Sequence, residues 1–287
     1  MGKLDVVFHV GAHKTATTHL QAIFSENARK LRTHGVRYLG PTEVREEFGS
    51  VEGAIGEERG IKALVGDANR LLVSEENMIG RCFGAKGLMR RGAFYRMGAE
   101  RLTKLTSSMV SHRNHLAVAV REPSAFLTSL YSQVLFSGTY VPWKQFLGDA
   151  DPMHKRWSDT ILPLLDAAPW DTVTIWKYED YHTVFPQILT SLLGEGHPEI
   201  PQKLDIRRHP GLSQAAVDAC ARWHGEGYTG MLGHIAREDY PVSDEHPAFQ
   251  PWSRAEVRLS KRAYRDDMAI LAAHPKVTVL QVPKAKG

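Results

Sequence analysis

Lys14 lies in the run Gly11-Ala12-His13-Lys14-Thr15-Ala16-Thr17-Thr18, which follows the apolar stretch Val6–Val10 directly. A cation, a histidine and three hydroxyls on a short loop between a strand and a helix suit an anion. The backbone N–H groups of such a loop surround one point, and the dipole of the following helix favours negative charge there. Lys14 adds a positive charge, and the threonines add donors. Gly11, Ala12, His13, Lys14, Thr15, Ala16, Thr17 and Thr18 are therefore candidate binders of a phosphate or sulfate. The order is not that of a nucleoside-triphosphate loop, G-x-x-x-x-G-K-[ST], because no second glycine precedes the lysine. The plainer reading is a buried strand followed by a helix with a threonine N-cap.

A second set of residues could hold phosphate. Leu116–Val120 is another apolar run, closed by Arg121-Glu122-Pro123. Pro123 suits the first turn of a helix. Leu127, Leu130, Tyr131, Val134 and Leu135 then recur at helical spacing. Arg121 would offer a planar, always-charged fork to a phosphate, and Ser129 a hydroxyl two turns further on.

The order K-T-x-T-T, followed by this arginine and serine, resembles the phosphate-binding motifs of bacterial-type sulfotransferases. These enzymes use 3′-phosphoadenosine 5′-phosphosulfate (PAPS). The resemblance implies that the loop from Gly11 to Thr18 binds the 5′-phosphosulfate, and that Arg121 and Ser129 hold the 3′-phosphate. The family usually has glycine where this chain has Ala16. Thr174-Ile175-Trp176-Lys177-Tyr178-Glu179-Asp180-Tyr181 resembles the strand and turn that the family ends R-Y-E-D-L, and reads as structural. The likeness covers most of the first two thirds of the chain, and the last third matches loosely. It implies an α/β, P-loop-like three-layer fold with a central parallel sheet and helices on both faces. It also implies sulfuryl transfer to a hydroxyl or amine acceptor, leaving adenosine 3′,5′-bisphosphate.

Sulfuryl transfer is expected to be loose and in line, by analogy with phosphoryl transfer. Lys14 is the natural group to stabilise the leaving phosphate oxygen. A base must take the acceptor's proton, and a carboxylate needs a buried setting for that work. Glu75, ending Leu71-Leu72-Val73-Ser74, is the first candidate, and Glu43 after the second strand is the runner-up, with Glu46 and Glu47 near it. His13 reads as an anion donor rather than the base. No metal is expected. A P-loop kinase or other nucleotide-binding protein would need a GK[ST] ending and a magnesium aspartate, and neither is found. A non-catalytic binder of a phosphorylated ligand would tolerate loss of every candidate base.

The elements that position these groups alternate. Strands are expected at Val6–Val10, Val36–Leu39, Leu71–Ser74, Leu116–Val120, Thr172–Trp176 and Val277–Val282. Helices are expected at Thr17–His34, Phe94–His112, Ser124–Phe136, Thr160–Asp166, Val184–Leu193, Gln214–His224 and Ala255–Ala273. Such alternation predicts a parallel sheet covered on both faces, with ligands at the carboxyl ends of its strands. Residues 194–213 and 225–253 read as irregular loops over the site, and residues 1–287 as a single domain.

Composition sets limits. The net charge of +4 does not imply nucleic acid. Seven basic residues between Arg81 and Lys104 face one acid, Glu100, which reads as a solvated helix face or a patch for an anionic acceptor or lipid surface. The chain has two cysteines, too few for a disulfide framework. No apolar run is long enough for a transmembrane helix, and the first strand follows Met1 too closely for a leader, so a cytoplasmic location is expected. None of the fourteen histidines has the company of a metal site. His112 and His115 read as solvated residues before a strand. Tyr131, Phe136, Tyr140, Trp143, Phe146 and Trp157 read as core, with an acceptor-stacking role as the alternative. The acceptor would be a glycan, a lipid or a small hydroxylated molecule.

Overall fold

Along β1 (Asp5–His9) the side chains alternate between two cores: Val6 and Phe8 enter one, Val7 the other. That is the pattern of a strand covered on both faces. The computed structural model describes residues 3–50, 53, 65–84, 89, 92–138, 140–202 and 211–283. β1 pairs in parallel with β3 (Arg70–Ser74) and β4 (Arg113–Val120). β2 (Val36–Leu39) flanks β3, and β5 (Trp170–Lys177) and β6 (Val277–Val279) follow β4, all parallel, in the order β2-β3-β1-β4-β5-β6. The protein is thus a three-layer α/β fold with a central parallel sheet and helices on both faces.

One face is covered by α1 (Thr17–Glu26), α2 (Ala28–Thr33) and, after an intervening stretch of chain, Phe185–Leu193. The other carries α3 (Pro41–Phe48), α4 (Gly98–Thr106), α5 (Pro123–Phe136), α6 (Trp143–Leu147) and α7 (Ser158–Asp166). With Phe185–Leu193 as α8, the chain continues through α9 (Gln214–Gly225), α10 (Leu232–Asp239) and α11 (Arg254–Ala272), which join the second face.

Several expectations are corrected. The helix expected over Thr17–His34 is broken at Asn27, whose Nδ2 donates to the Ile23 carbonyl at 2.8 Å. An asparagine that bonds its own backbone competes with the helix ladder. The helix expected over Phe94–His112 is regular only in α4, then tightens to a 3-10 turn at Ser107–Met109. β4 starts at Arg113, so His115 is a strand residue. It bonds Thr172 Oγ1 at 2.8 Å and Asp5 Oδ1 at 3.3 Å rather than water. β6 ends at Val279, short of Val282. α3 and α6 were not foreseen, and the expected loop 225–253 contains α10. Part of the other expected loop, residues 203–210, lies outside the described residues. Tyr131, Phe146 and Trp157 are buried core, as read. Among the described residues, no helix is long and apolar enough to cross a membrane.

His9, at the end of β1, stacks on Trp176 with ring centroids 5.4 Å apart, and its Nδ1 bonds Ser74 Oγ at 2.8 Å. Burial lowers its pKa to about 4. The unfolded chain therefore binds a proton that the folded chain refuses between about pH 4 and 6.5. The resulting stability is complete above pH 6.5 and is lost as pH falls toward 4. It is worth on the order of 3 kcal/mol from the shift alone. His13, also lowered by burial, contributes with the same sign. Urea unfolding at pH 7 and pH 5 should show this loss, and His9→Gln should flatten it. An unchanged pH slope in that variant would assign the loss elsewhere.

Candidate active site

Beyond His9 the ladder runs on for three residues. The N–H groups of Val10 and Ala12 donate to Ala117 and Ala119 of β4. The His13 N–H donates to the Tyr95 hydroxyl at 2.9 Å. From Lys14 to Thr18 the backbone N–H groups have no protein acceptor among the described residues. They lead into the N-terminus of α1 after the carboxyl end of β1, a place that suits an anion.

The loop is held open by strain and close packing. Lys14 and Ala16 have φ of 64° and 65°, and Ala16 occupies the N-cap of α1. The expected threonine cap is absent: Thr17 is the first helical residue. The left-handed region costs a non-glycine residue about 1–2 kcal/mol. Glycine there would gain that amount less about 0.4–1 kcal/mol of unfolded-state freedom. Ala16→Gly is expected to raise stability by roughly 0.5–1 kcal/mol in urea titration. A loss of stability would mean that the Ala16 methyl makes contacts worth more than the strain. At Gly11 an added Cβ would stand 3.0 Å from His9 Nε2 and from Thr17 Cγ2, so the glycine is needed for closeness.

The threonines divide their work. Thr15 is fully buried and its hydroxyl donates to the Ala12 carbonyl, so it braces the loop. Thr17 is buried at the start of α1, and Thr18 is exposed. His13 stacks on Tyr95 and its Nδ1 bonds the same hydroxyl at 2.8 Å. The donor role expected of His13 is therefore limited: its N–H and one ring nitrogen are already engaged.

Arg121 closes the loop from β4. Its Nη1 donates to the Lys14 carbonyl at 3.1 Å, and its guanidinium lies 4.5 Å from the centre of the Tyr178 ring. Its Nε–H is buried without a partner among the described residues. Burial pulls the guanidinium below its usual pKa, offset by Tyr178, Glu179 and Glu122. The backbone beneath is fixed by residues that the sequence suggested only as core or structural turn. Trp157 Nε1 donates to the Arg121 carbonyl at 2.7 Å, and the Glu122 N–H donates to Glu179 at 2.8 Å. Glu122 caps α5, accepting from the Ser124 and Ala125 N–H groups and from the Ser260 hydroxyl of α11. Tyr178 and Glu179 thus give the structural turn after β5 a supporting role at the site. Ser129 is half-buried on α5, and no protein acceptor holds its hydroxyl among the described residues.

Acids lie on the other side of the loop, at the end of β3. Glu75 is fully buried. Its Oε1 accepts from the Asn77 N–H at 3.0 Å and from Asn77 Nδ2 at 2.7 Å. Its Oε2 makes no hydrogen bond and has Arg45 Nη2 at 3.7 Å. Glu76 accepts from Gln21 of α1 at 3.0 Å. His13 stands between the two sides: burial lowers its pKa, Glu76 raises it, and Lys14 and Arg81 lower it. Glu43 instead caps α3, its Oε2 accepting from the Gly40 N–H at 3.0 Å.

The basic stretch Arg81–Lys104 is only partly a solvated face. Arg101 donates to the Asn77 and Met78 carbonyls at 3.0 and 2.9 Å, which fixes the turn beneath Glu75. Lys104 pairs with Glu100, and Lys86, Arg90 and Arg91 lie outside the described residues. A cavity of about 430 Å³ opens between α11 and the ends of β5 and β6, and no residue of the Gly11–Thr18 loop lines it. Among the described residues, no cluster of His, Cys, Asp or Glu forms a metal site.

No protein-family model matches the chain, and no curated protein matches it.

Proposed function

We propose that the protein is a PAPS-dependent sulfotransferase acting on a hydroxyl or amine acceptor. The observation that supports this most is the tie between the two phosphate motifs. Arg121, from the end of β4, bonds the carbonyl of Lys14, in the loop after β1. The unpaired N–H groups from Lys14 to Thr18 and the unpartnered Arg121 Nε–H are donors that a doubly phosphorylated nucleotide would satisfy.

PAPS would supply an electrophilic sulfuryl group with a phosphate as leaving group. Gly11, Ala12, His13 and Ala16 shape the cradle, and Thr17 and Thr18 present donors at its mouth. Lys14 stabilises charge on the leaving oxygen. Arg121 and Ser129 hold the 3′-phosphate. Glu75 takes the acceptor's proton through Oε2, the oxygen that Asn77 leaves free. The reading assigns no metal, and takes as acceptor a glycan, a lipid or a small hydroxylated molecule. A cytoplasmic setting belongs to the same reading, consistent with two buried cysteines, Cys82 and Cys220, that form no disulfide.

Incubation with ³⁵S-labelled PAPS and a panel of glycans, lipids and phenols tests the activity. Label is expected in one acceptor class. Tight binding of PAPS without transfer to any acceptor class would favour a non-catalytic binder.

A further inference from the structure

α11 starts on a firm cap: the Ser253 hydroxyl accepts from the Glu256 N–H, and the Glu256 carboxylate accepts from the Ser253 N–H. Tyr264, Met268 and Leu271 then recur at spacings of four and three, and all are buried. Beside that face runs a second stripe with helical spacing, Lys261, Arg265, Ala269 and Ala272. It changes from charged to apolar over about 16 Å of helix, at 1.5 Å per residue. This stripe forms one wall of the cavity of about 430 Å³ between α11 and the ends of β5 and β6. Met268 of α11 and Val279 of β6 line the same space. The two alanines carry little bulk, which leaves the apolar end open. The volume falls in the range of small-molecule sites.

The charged groups of the cavity differ in what already holds them. Glu122 and Glu179 line it, and both are engaged. Glu122 accepts from the Ser124 and Ala125 N–H groups and from the Ser260 hydroxyl. Glu179 accepts from the Glu122 N–H at 2.8 Å, and the charge of Arg121 acts on both acids. Lys177 is paired with Asp180 at 2.6 Å. Lys261 and Arg265 line the cavity from the exposed side of α11, and neither has a carboxylate partner among the described residues. An anion beside them would meet two cations. An apolar body attached to that anion would displace water from Met268, Val279 and the alanines.

We propose that this cavity is a second ligand site, which takes an amphipathic monocarboxylate. The carboxylate meets Lys261 and Arg265, and the hydrocarbon body lies along Met268, Val279 and the two alanines. The site is separate from the loop after β1 and stands whether or not the sulfotransferase reading does. Fatty acids and aryl-alkyl carboxylates share this chemistry, and the probes below separate them.

Calorimetric titration of the full chain tests it, with octanoate, phenylbutyrate, octanol and octylammonium as probes. A carboxylate is expected to bind more tightly than octanol or octylammonium. The double variant K261Q/R265Q should weaken that carboxylate about three- to tenfold, the range of a partly exposed charged contact, and leave octanol unchanged. A269W should fill the apolar end and weaken every probe that binds. A269L serves in its place if A269W fails to fold. Tighter binding of octanoate than of phenylbutyrate, or the reverse, upholds the site and assigns a chain or a ring as the body. Absence of carboxylate binding at millimolar concentration would overturn the proposal, as would octylammonium binding more tightly than either carboxylate. Equal carboxylate affinity in wild type and K261Q/R265Q would also overturn it, as would affinity undiminished in A269W and A269L.

Discussion

Lys14→Ala is expected to lower turnover by a factor on the order of a hundred or more, comparable with removing one preorganised donor from a developing oxyanion. Donor affinity should fall less than turnover. Arg121, Ser129 and the loop N–H groups remain, and they act on the bound donor before any charge develops. Burial lowers the pKa of the ammonium, and the charges of Arg121 and Arg237 lower it further. Activity should therefore decline on the alkaline side at a pH below the usual lysine value. Kinetics at saturating donor across a pH series checks both statements. Normal turnover at saturation in Lys14→Ala would leave Lys14 a binding residue alone.

Glu75→Gln should abolish most activity while leaving donor binding unchanged. The amide keeps the shape and the Asn77 contacts but cannot take a proton. Asn77 commits Oε1 through two donors, and Oε2, 3.7 Å from Arg45 Nη2, is the oxygen to which the proposal gives the proton. Glu43→Gln is the comparison. Its carboxylate caps α3, so the change should cost stability of about 1 kcal/mol and little turnover. Single-turnover rates and urea midpoints on both variants separate the roles. Near-normal turnover in Glu75→Gln with loss in Glu43→Gln would move the base to the end of β2.

Strand identity was legible because fully buried parallel strands read as short apolar runs, as in Leu71–Ser74 and Leu116–Val120. The positions of Lys14 and Arg121 followed from the same runs, since side chains at strand ends in such sheets face one crevice. Helix interruptions were not legible. The break at Asn27 depends on a side chain turning back to its own helix, and the tightened turn at Ser107–Met109 on local backbone geometry. α10 was missed because its sequence is short and polar, and its register is set by Gly233 packing on α5. The commitment of His13 to Tyr95 joins residues eighty-two positions apart, which no local pattern reveals. The same holds for Trp157 beneath Arg121 and for Ser260 on Glu122. The positive φ of Ala16 left one trace, the glycine that the resembling family prefers there.

On the proposed function, the site formed by the loop after β1 and by Arg121 recognises a nucleotide with phosphates at both 5′ and 3′ positions. Calorimetric titration of wild type and Arg121→Ala with adenosine 3′,5′-bisphosphate and with adenosine 5′-monophosphate tests it most directly. Wild type should prefer the bisphosphate. Arg121→Ala should lose about ten- to a hundredfold in affinity for it, the range of one or two charged hydrogen bonds, and change little for the monophosphate. Equal weakening of both nucleotides, or a wild type that binds the two alike, would contradict the account.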